Sequence, residues 1–344
     1  MNALKGISLP GSRILKTAIA IFITAWVCEL LNWPPVFAVI TAVVTVEPTV
    51  SDSIRKGIVR FPASAIGSAY AVLFIYLFGN APITYTLAAF FTIATCYRLK
   101  LHAGLLVATL TAIAMVEVIH SNYLISFFIR LGTTTVGLLV STAVNFIVFP
   151  PDYKQDIIHN IQKIAQKTSD ITQKVFMDIL QSEYESYREN KNAVNQLTKK
   201  LQQTETLIRF QRDESRFHPL VGSESQLFQS LEHQLAQLKL FHYHLNNVTN
   251  FSIENIPWQD EHAQEKIGTA VETLTKALTH KKHYDHEALE AQLNILMNLY
   301  WNNKKQMNAQ IAQQETFFPP NIILLYELVS MYQLVFYLYD ETET

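Results

Sequence analysis

Residues 123 to 149 read YLISFFIRLGTTTVGLLVSTAVNFIVF, an apolar stretch whose single charge is Arg130. A helix of that length covers the roughly 30 Å of hydrocarbon in a bilayer, so the segment reads as a membrane crossing. Five more apolar stretches precede it, at about 14 to 31, 35 to 48, 57 to 78, 82 to 98 and 102 to 119. Lys and Arg fall in alternate gaps. Lys5, Arg13 and Lys16 precede the first stretch, Arg55, Lys56 and Arg60 follow the second, and Arg98 and Lys100 follow the fourth. The gaps with Asn32-Trp33-Pro34, Gly79-Asn80-Ala81 and His120-Ser121-Asn122 have none. Under the positive-inside rule this pattern gives six crossings, with both chain ends in the cytoplasm.

Pro150-Pro151 divides the chain into two halves of opposite balance. Residues 1 to 150 carry 9 Lys and Arg against 4 Asp and Glu, and residues 151 to 344 carry 18 against 25. The expected domains are therefore a transmembrane domain at 1–150 and a helical cytoplasmic domain at 151–344. An acidic tail argues against nucleic acid as a partner, because phosphate backbones select clustered Lys and Arg. Cys28 and Cys96 both lie inside apolar stretches, which excludes a disulfide framework. The start, MNALKGISLPGSRILK, leads into a span too long for a signal peptide core and reads as a retained first crossing.

The third and sixth stretches match at an offset of 70 residues. Arg60-Phe-Pro-Ala-Ser-Ala-Ile-Gly67 aligns with Arg130-Leu-Gly-Thr-Thr-Thr-Val-Gly137. An odd number of crossings separates the copies, so the second three-helix unit is inserted upside down relative to the first, as in many transporters. Gly67 and Gly137 let helices approach closely, while Pro62 and Gly132 weaken the backbone ladder where a bent segment would face a cavity. The alternative is coincidence among small-residue-rich helices. The second crossing is also short: between Pro34-Pro35 and Glu47-Pro48 only Val36 to Val46 is continuously apolar. Its counterpart from His102 is interrupted by Gly104, Thr109 and Thr111. Such segments in matching positions point to a midplane binding site; the plain reading is two complete, capped helices.

Charges at membrane depth are costly and call for a partner, a wet cavity or an anionic substrate. Arg130 is the leading candidate to bind substrate. Arg60 is its equivalent near the opposite face, where a long side chain also reaches lipid headgroups. Thr133, Thr134, Thr135 and Asn145 offer hydroxyl and amide groups to a substrate, although membrane Thr commonly bonds back to its own helix. Glu29, Glu117 and His102 are candidates for proton coupling, set against ordinary interfacial placement.

The tail reads as helices at about 153 to 187, 191 to 213, 224 to 252, 261 to 282, 286 to 315 and 321 to 340, with apolar residues every three or four positions. It has no Gly-rich phosphate loop, so no nucleotide or other cofactor is expected, and no catalytic set. His280-Lys-Lys-His283-Tyr-Asp-His286, with His242 and His244, is a poor metal site because its residues spread around a helix end beside two Lys. Arg212-Asp-Glu-Ser-Arg-Phe-His-Pro219 is the other dense polar run, read as a local ion-pair turn or as a contact with the cytoplasmic face of the membrane half.

Val46-Glu-Pro48, Ser53-Ile-Arg-Lys-Gly57, Arg60 to Gly67 and its copy at Arg130 to Gly137 resemble the aromatic acid exporter family, related to the fusaric acid resistance transporters. The tail resembles the helical domain attached to members with one six-helix unit. The resemblance implies an all-α, polytopic protein of the bacterial plasma membrane: six transmembrane helices in two inverted three-helix units plus a cytoplasmic helical bundle. It also implies export of small aromatic or other organic acids, driven by the proton gradient, and pairing into a homodimer or higher homo-oligomer. The rival class is a non-transporting envelope or regulatory protein whose membrane half anchors the helical domain. A membrane enzyme is disfavoured by the lack of a His, Asp and Glu cluster at one membrane face.

Overall fold

The computed structural model describes residues 12–118, 122–148, 150–181, 187–250, 261–279, 284–311 and 319–340. All regular structure among them is helical. The chain forms two compact units, the first from 1–152 together with 210–219, the second from 153–209 and 220–344.

The first unit contains α1 (Ser12–Leu30), α2 (Val36–Thr45), α3 (Val50–Phe78), α4 (Pro82–Arg98), α5 (Leu105–Val118, preceded by a 3-10 turn at His102–Gly104) and α6 (Tyr123–Ile147). Local chemistry sets the boundaries. Pro35 stands at the start of α2, Thr49 caps α3 by accepting the Asp52 amide, and Pro82 opens α4, where its missing N–H costs nothing. The expected weak points in the backbone do not break it: α3 runs unbroken through Pro62 and α6 through Gly132. Neighbouring helices hold both in line, as lipid-phase helices permit.

The interior of this unit is small and polar. Thr24, Thr41, Thr45, Ser64, Ser68, Thr92, Thr134 and Ser141 are fully buried. Thr41, Thr45, Ser68, Thr92, Thr134 and Ser141 each donate their hydroxyl to the carbonyl four residues back. Large apolar side chains point outward instead: Phe22 is 71 % exposed, Leu124 71 % and Ile147 72 %. In water that surface would aggregate; in lipid it is the correct one, because close packing of small residues replaces the hydrophobic effect as the glue. α3 and α6 are long and apolar enough to cross a membrane, and α2 and α5 are shorter apolar helices.

Helix pairing in this unit follows a rule of exchange. α1 packs on α2 and α4 on α5, α6 packs on α1 and α2, α3 packs on α4 and α5, and α3 meets α6. Swapping α1, α2 and α3 for α4, α5 and α6 leaves these pairings unchanged. The glycines obey the same rule. A Cβ on Gly67 would lie 2.3 Å from the Ala108 carbonyl oxygen, and one on Gly137 would lie 2.4 Å from that of Ala38. Both pairs are related by 70 residues, as are Ser64 and Thr134, whose hydroxyls meet at 3.2 Å where α3 and α6 cross.

The second unit packs α7 (Lys154–Gln181), α8 (from Tyr187, ending at Glu214), α9 (Ser223–Asn250), α10 (Glu261–Thr279), α11 (His286–Ile311) and α12 (Pro320–Asp340) around one apolar core. The amphipathic period reads out directly: Ile157, Ile161, Ile164, Val175 and Ile179 of α7 are buried, with α9 and α10 as neighbours. α12 is also long and apolar enough to span a bilayer. It has another use for that apolarity here, since Leu324, Leu325, Leu328, Met331 and Tyr332 are buried in the core. The Tyr332 and Tyr339 hydroxyls donate to the Ala270 and Ala277 carbonyls of α10, one heptad apart on both helices. Gly268 of α10 has open space where a Cβ would sit. Gly268→Ala is therefore expected to stabilise the protein by about 0.5–1 kcal/mol through the unfolded chain, measurable as a higher thermal midpoint.

Candidate functional site

Arg130 leaves α6 two residues before Gly132, which has no side chain because Trp33 fills the space: a Cβ there would lie 2.5 Å from the indole. The guanidinium is 3 % exposed. One nitrogen donates to Thr111 of α5, another reaches Thr133 Oγ1 at 3.5 Å, and the group lies over the Phe37 ring of α2, 4.5 Å from its centroid. Nε has no acceptor. No carboxylate among the described residues lies within 4.0 Å of Arg130. The two short apolar helices, α2 and α5, thus both contribute a contact to this side chain.

Arg60 has the opposite arrangement. It is buried, 6 % exposed, and its NH2 group pairs with Glu47 at 2.7 Å, while Lys56 holds the other Glu47 oxygen at 2.8 Å. Nε donates to the Ala103 carbonyl at 3.3 Å. It does not reach out toward headgroups. The residue 70 places beyond Glu47 is Glu117, and it does not repay the symmetry. Glu117 is exposed and accepts the Tyr85 hydroxyl at 2.6 Å. So the two matched arginines differ: one is neutralised by its own half, and the other has no carboxylate against it among the described residues.

The remaining candidates separate. Thr133 and Thr134 donate to the Arg130 carbonyl, and Thr135 donates to that of Leu131. Thr133 also accepts from Arg130 and so belongs to the site; Thr135 lines an apolar groove of about 510 Å³ between α3 and α6, with Gly57 and Phe61. Asn145 is fully buried and bonded within the unit. Its amide donates to the Glu47 and Thr49 carbonyls and to Ser53 Oγ, and its oxygen accepts Lys16 Nζ at 3.0 Å. It ties α1 and α6 to the link before α3. Glu29 and His102 are exposed and lie apart from Arg130, with His102 edge-on to Tyr97. His120 and His280 to His283 lie outside the described residues.

A profile of the aromatic acid exporter family, member 1, matches residues 9–148. Relatives match almost end to end: a UPF0421 protein of Oceanobacillus iheyensis is 44 % identical over 329 residues, 95 % of this chain and 94 % of the relative. A UPF0421 protein of Bacillus cereus is 35 % identical, covering 97 % and 94 %. One from Staphylococcus haemolyticus is 38 % identical over 69 % of this chain and 72 % of its own. The chain belongs to the aromatic acid exporter family.

Within this exporter-family chain, Phe37, Thr111 and Trp33 complete the surroundings of Arg130, and sequence reading had not named them as site residues. A signal existed for Thr111, which stands 70 residues beyond Thr41, the residue beside Gly137. Glu214 is a further buried carboxylate of the first unit, drawn from the Arg212 to Pro219 run. Of the two readings of that run, a contact with residues of the membrane half is the one seen here, although nothing in the sequence marks Val50, 164 residues away, as the partner.

Proposed function

We propose that this chain is a secondary exporter of small organic acids in the bacterial plasma membrane, with Arg130 as the group that receives the substrate carboxylate. The observation that carries this reading is a buried guanidinium with no carboxylate against it among the described residues, beside a matched arginine that has one. A lone cation at membrane depth is too costly to keep without use, and a carboxylate is the ligand that its fork-shaped donors fit. The Phe37 face and the Thr111 and Thr133 hydroxyls would surround the ring and polar edge of a planar acid.

The layout that serves this function is six crossings, α1 to α6, in two inverted three-helix units related across the α3 and α6 pair. Support comes from the exchange of helix pairings and from the contacts repeated at an offset of 70. Both termini lie in the cytoplasm, and the second unit is a cytoplasmic helical bundle. Coupling to the proton gradient fits a chain without a nucleotide loop, and Glu117, exposed at one end of α5, is the acid placed to carry the proton. A homo-oligomer is expected from the single six-helix unit. The apolar face of α7 is no argument for one, because α9 and α10 pack against it.

Two experiments test this. In whole cells, a cysteine replacing Glu265, whose side chain is 79 % exposed, should resist an impermeant thiol reagent until the cells are lysed; labelling in intact cells contradicts the orientation. Cells expressing the chain should accumulate less of a labelled hydroxybenzoate than cells without it, and more once the proton gradient is collapsed. Equal accumulation for every organic acid tried would turn the balance to a non-transporting, membrane-anchored regulatory protein.

A further inference from the structure

The exporter reading leaves the Arg212 to Pro219 run unused, yet the structure gives it a specific place. α8 is one continuous helix from Tyr187 to Glu214, and its end, with the residues to Pro219, belongs to the first unit. Glu214 is 1 % exposed there. One carboxylate oxygen accepts the Val50 N–H at 3.0 Å, and the other meets His218 Nδ1 at 2.8 Å. Val50 opens α3, so the carboxylate satisfies an amide that the helix cannot, at the positive end of the helix dipole.

The surroundings extend the contact to two more helices. The ammonium of Lys16, on α1, attracts the Glu214 carboxylate and is itself held by Asn145 of α6. The rings of Phe217 and His218 lie against Phe146 of α6, with centroids 6.5 and 5.0 Å apart. Asn145 in turn holds the Glu47 and Thr49 carbonyls just before α3. One side chain from the C-terminal half therefore completes a polar cross-link among the ends of α1, α3 and α6, the same end that carries Glu47, Lys56 and Arg60.

We propose that residues 212–219 are a latch: Glu214 pins the start of α3 to α1 and α6 and keeps this end of the first unit shut, and a shift of α8 withdraws it. Withdrawal exchanges protein partners for water at Glu214 and at the Val50 amide, while Lys16 keeps Asn145 as its hydrogen-bond partner. A helix continuous with the C-terminal half is the element that moves the pin, which gives that half a regulatory role over an opening on the cytoplasmic side. The proposal rests on the proposed function for the side on which this end lies and for the consequence of opening. Closure itself is read without any substrate.

The test uses the full chain with Cys28 and Cys96 replaced by Ala and one new thiol, Val50→Cys, whose backbone N–H stays in place while its buried side chain reports access. In inside-out vesicles a maleimide should label this thiol slowly, and Glu214→Ala should raise the rate by about tenfold or more. Ala71→Cys, fully buried farther along α3, should stay unlabelled in both backgrounds and so report an intact bundle. If Glu214→Ala opens both positions, the comparison is repeated with Glu214→Gln, which keeps the side-chain shape but loses the charge toward Lys16. A rate at position 50 unchanged by Glu214→Ala with position 71 protected, or unchanged by Glu214→Gln, overturns the latch. A chain that exports nothing would overturn the proposed function and leave the labelling result standing.

Discussion

Arg130→Gln should abolish export while leaving the amount of folded protein unchanged or higher. The guanidinium is buried without a carboxylate, so its removal takes away a desolvated charge that folding has to carry. Its loss to a bound carboxylate is of the size measured for one partner of a buried charge pair, about 2–5 kcal/mol, or roughly 30-fold to several thousand-fold in affinity. Arg130→Lys should retain part of the activity, since the charge stays and the planar fork is lost. Arg60→Gln should behave in the opposite way. It leaves Glu47 buried with Lys56 alone and should lower the yield of folded protein before it affects affinity for the acid. Export assays at matched expression, with gel filtration of each variant, separate the two cases. Full export by Arg130→Gln would leave this arginine a structural role only.

Adding one methyl group at Gly67 or at Gly137 should be enough to prevent folding of the first unit. The new Cβ would stand 2.3 Å from the Ala108 carbonyl oxygen in the first case and 2.4 Å from that of Ala38 in the second. Both obstacles are helix backbone, so neither can rotate away, and the helices must separate. Overpacking typically costs about 1–3 kcal/mol where side chains can yield, and more is expected where they cannot. Gly57→Ala is the control on α3: its nearest neighbour would be Leu138 Cδ2 at an ordinary 3.7 Å. The readout is the monodisperse fraction after detergent extraction, low for Gly67→Ala and Gly137→Ala and near wild type for Gly57→Ala. Equal yields from all three would show that the α3 to α5 and α2 to α6 approaches are not as close as described.

Much of the fold was legible because lipid and water impose strong, local patterns. The apolar stretches placed α1 to α6 within a few residues except at the start of α3, which begins at Val50, seven residues before the apolar run because Ser51, Asp52, Arg55 and Lys56 mask its first turns, and Pro34-Pro35 and Glu47-Pro48 delimited the short α2. The 70-residue match also led to the right glycines, since Gly67 and Gly137 make the two closest backbone approaches to α5 and α2. What stayed hidden depends on partners distant in sequence. Pro62 reads as a weak point in the backbone ladder, yet α3 continues through it. Asn145 reads as a ligand for a substrate, and its hydrogen bonds to Glu47, Thr49, Ser53 and Lys16 appear only once three helix ends converge. Arg60 and Arg130 look alike in the sequence. Their difference lies in whether Glu47 or Glu117 turns inward, and no spacing rule decides that.

The most direct measurement is equilibrium binding of a labelled hydroxybenzoate to the purified full-length chain in lipid nanodiscs, for wild type, Arg130→Gln and Arg60→Gln. Saturable binding by the wild type and by the folded fraction of Arg60→Gln, lost in a well-folded Arg130→Gln, is the predicted result. Binding of the same affinity to Arg130→Gln and wild type would contradict the assignment of Arg130 as the carboxylate site.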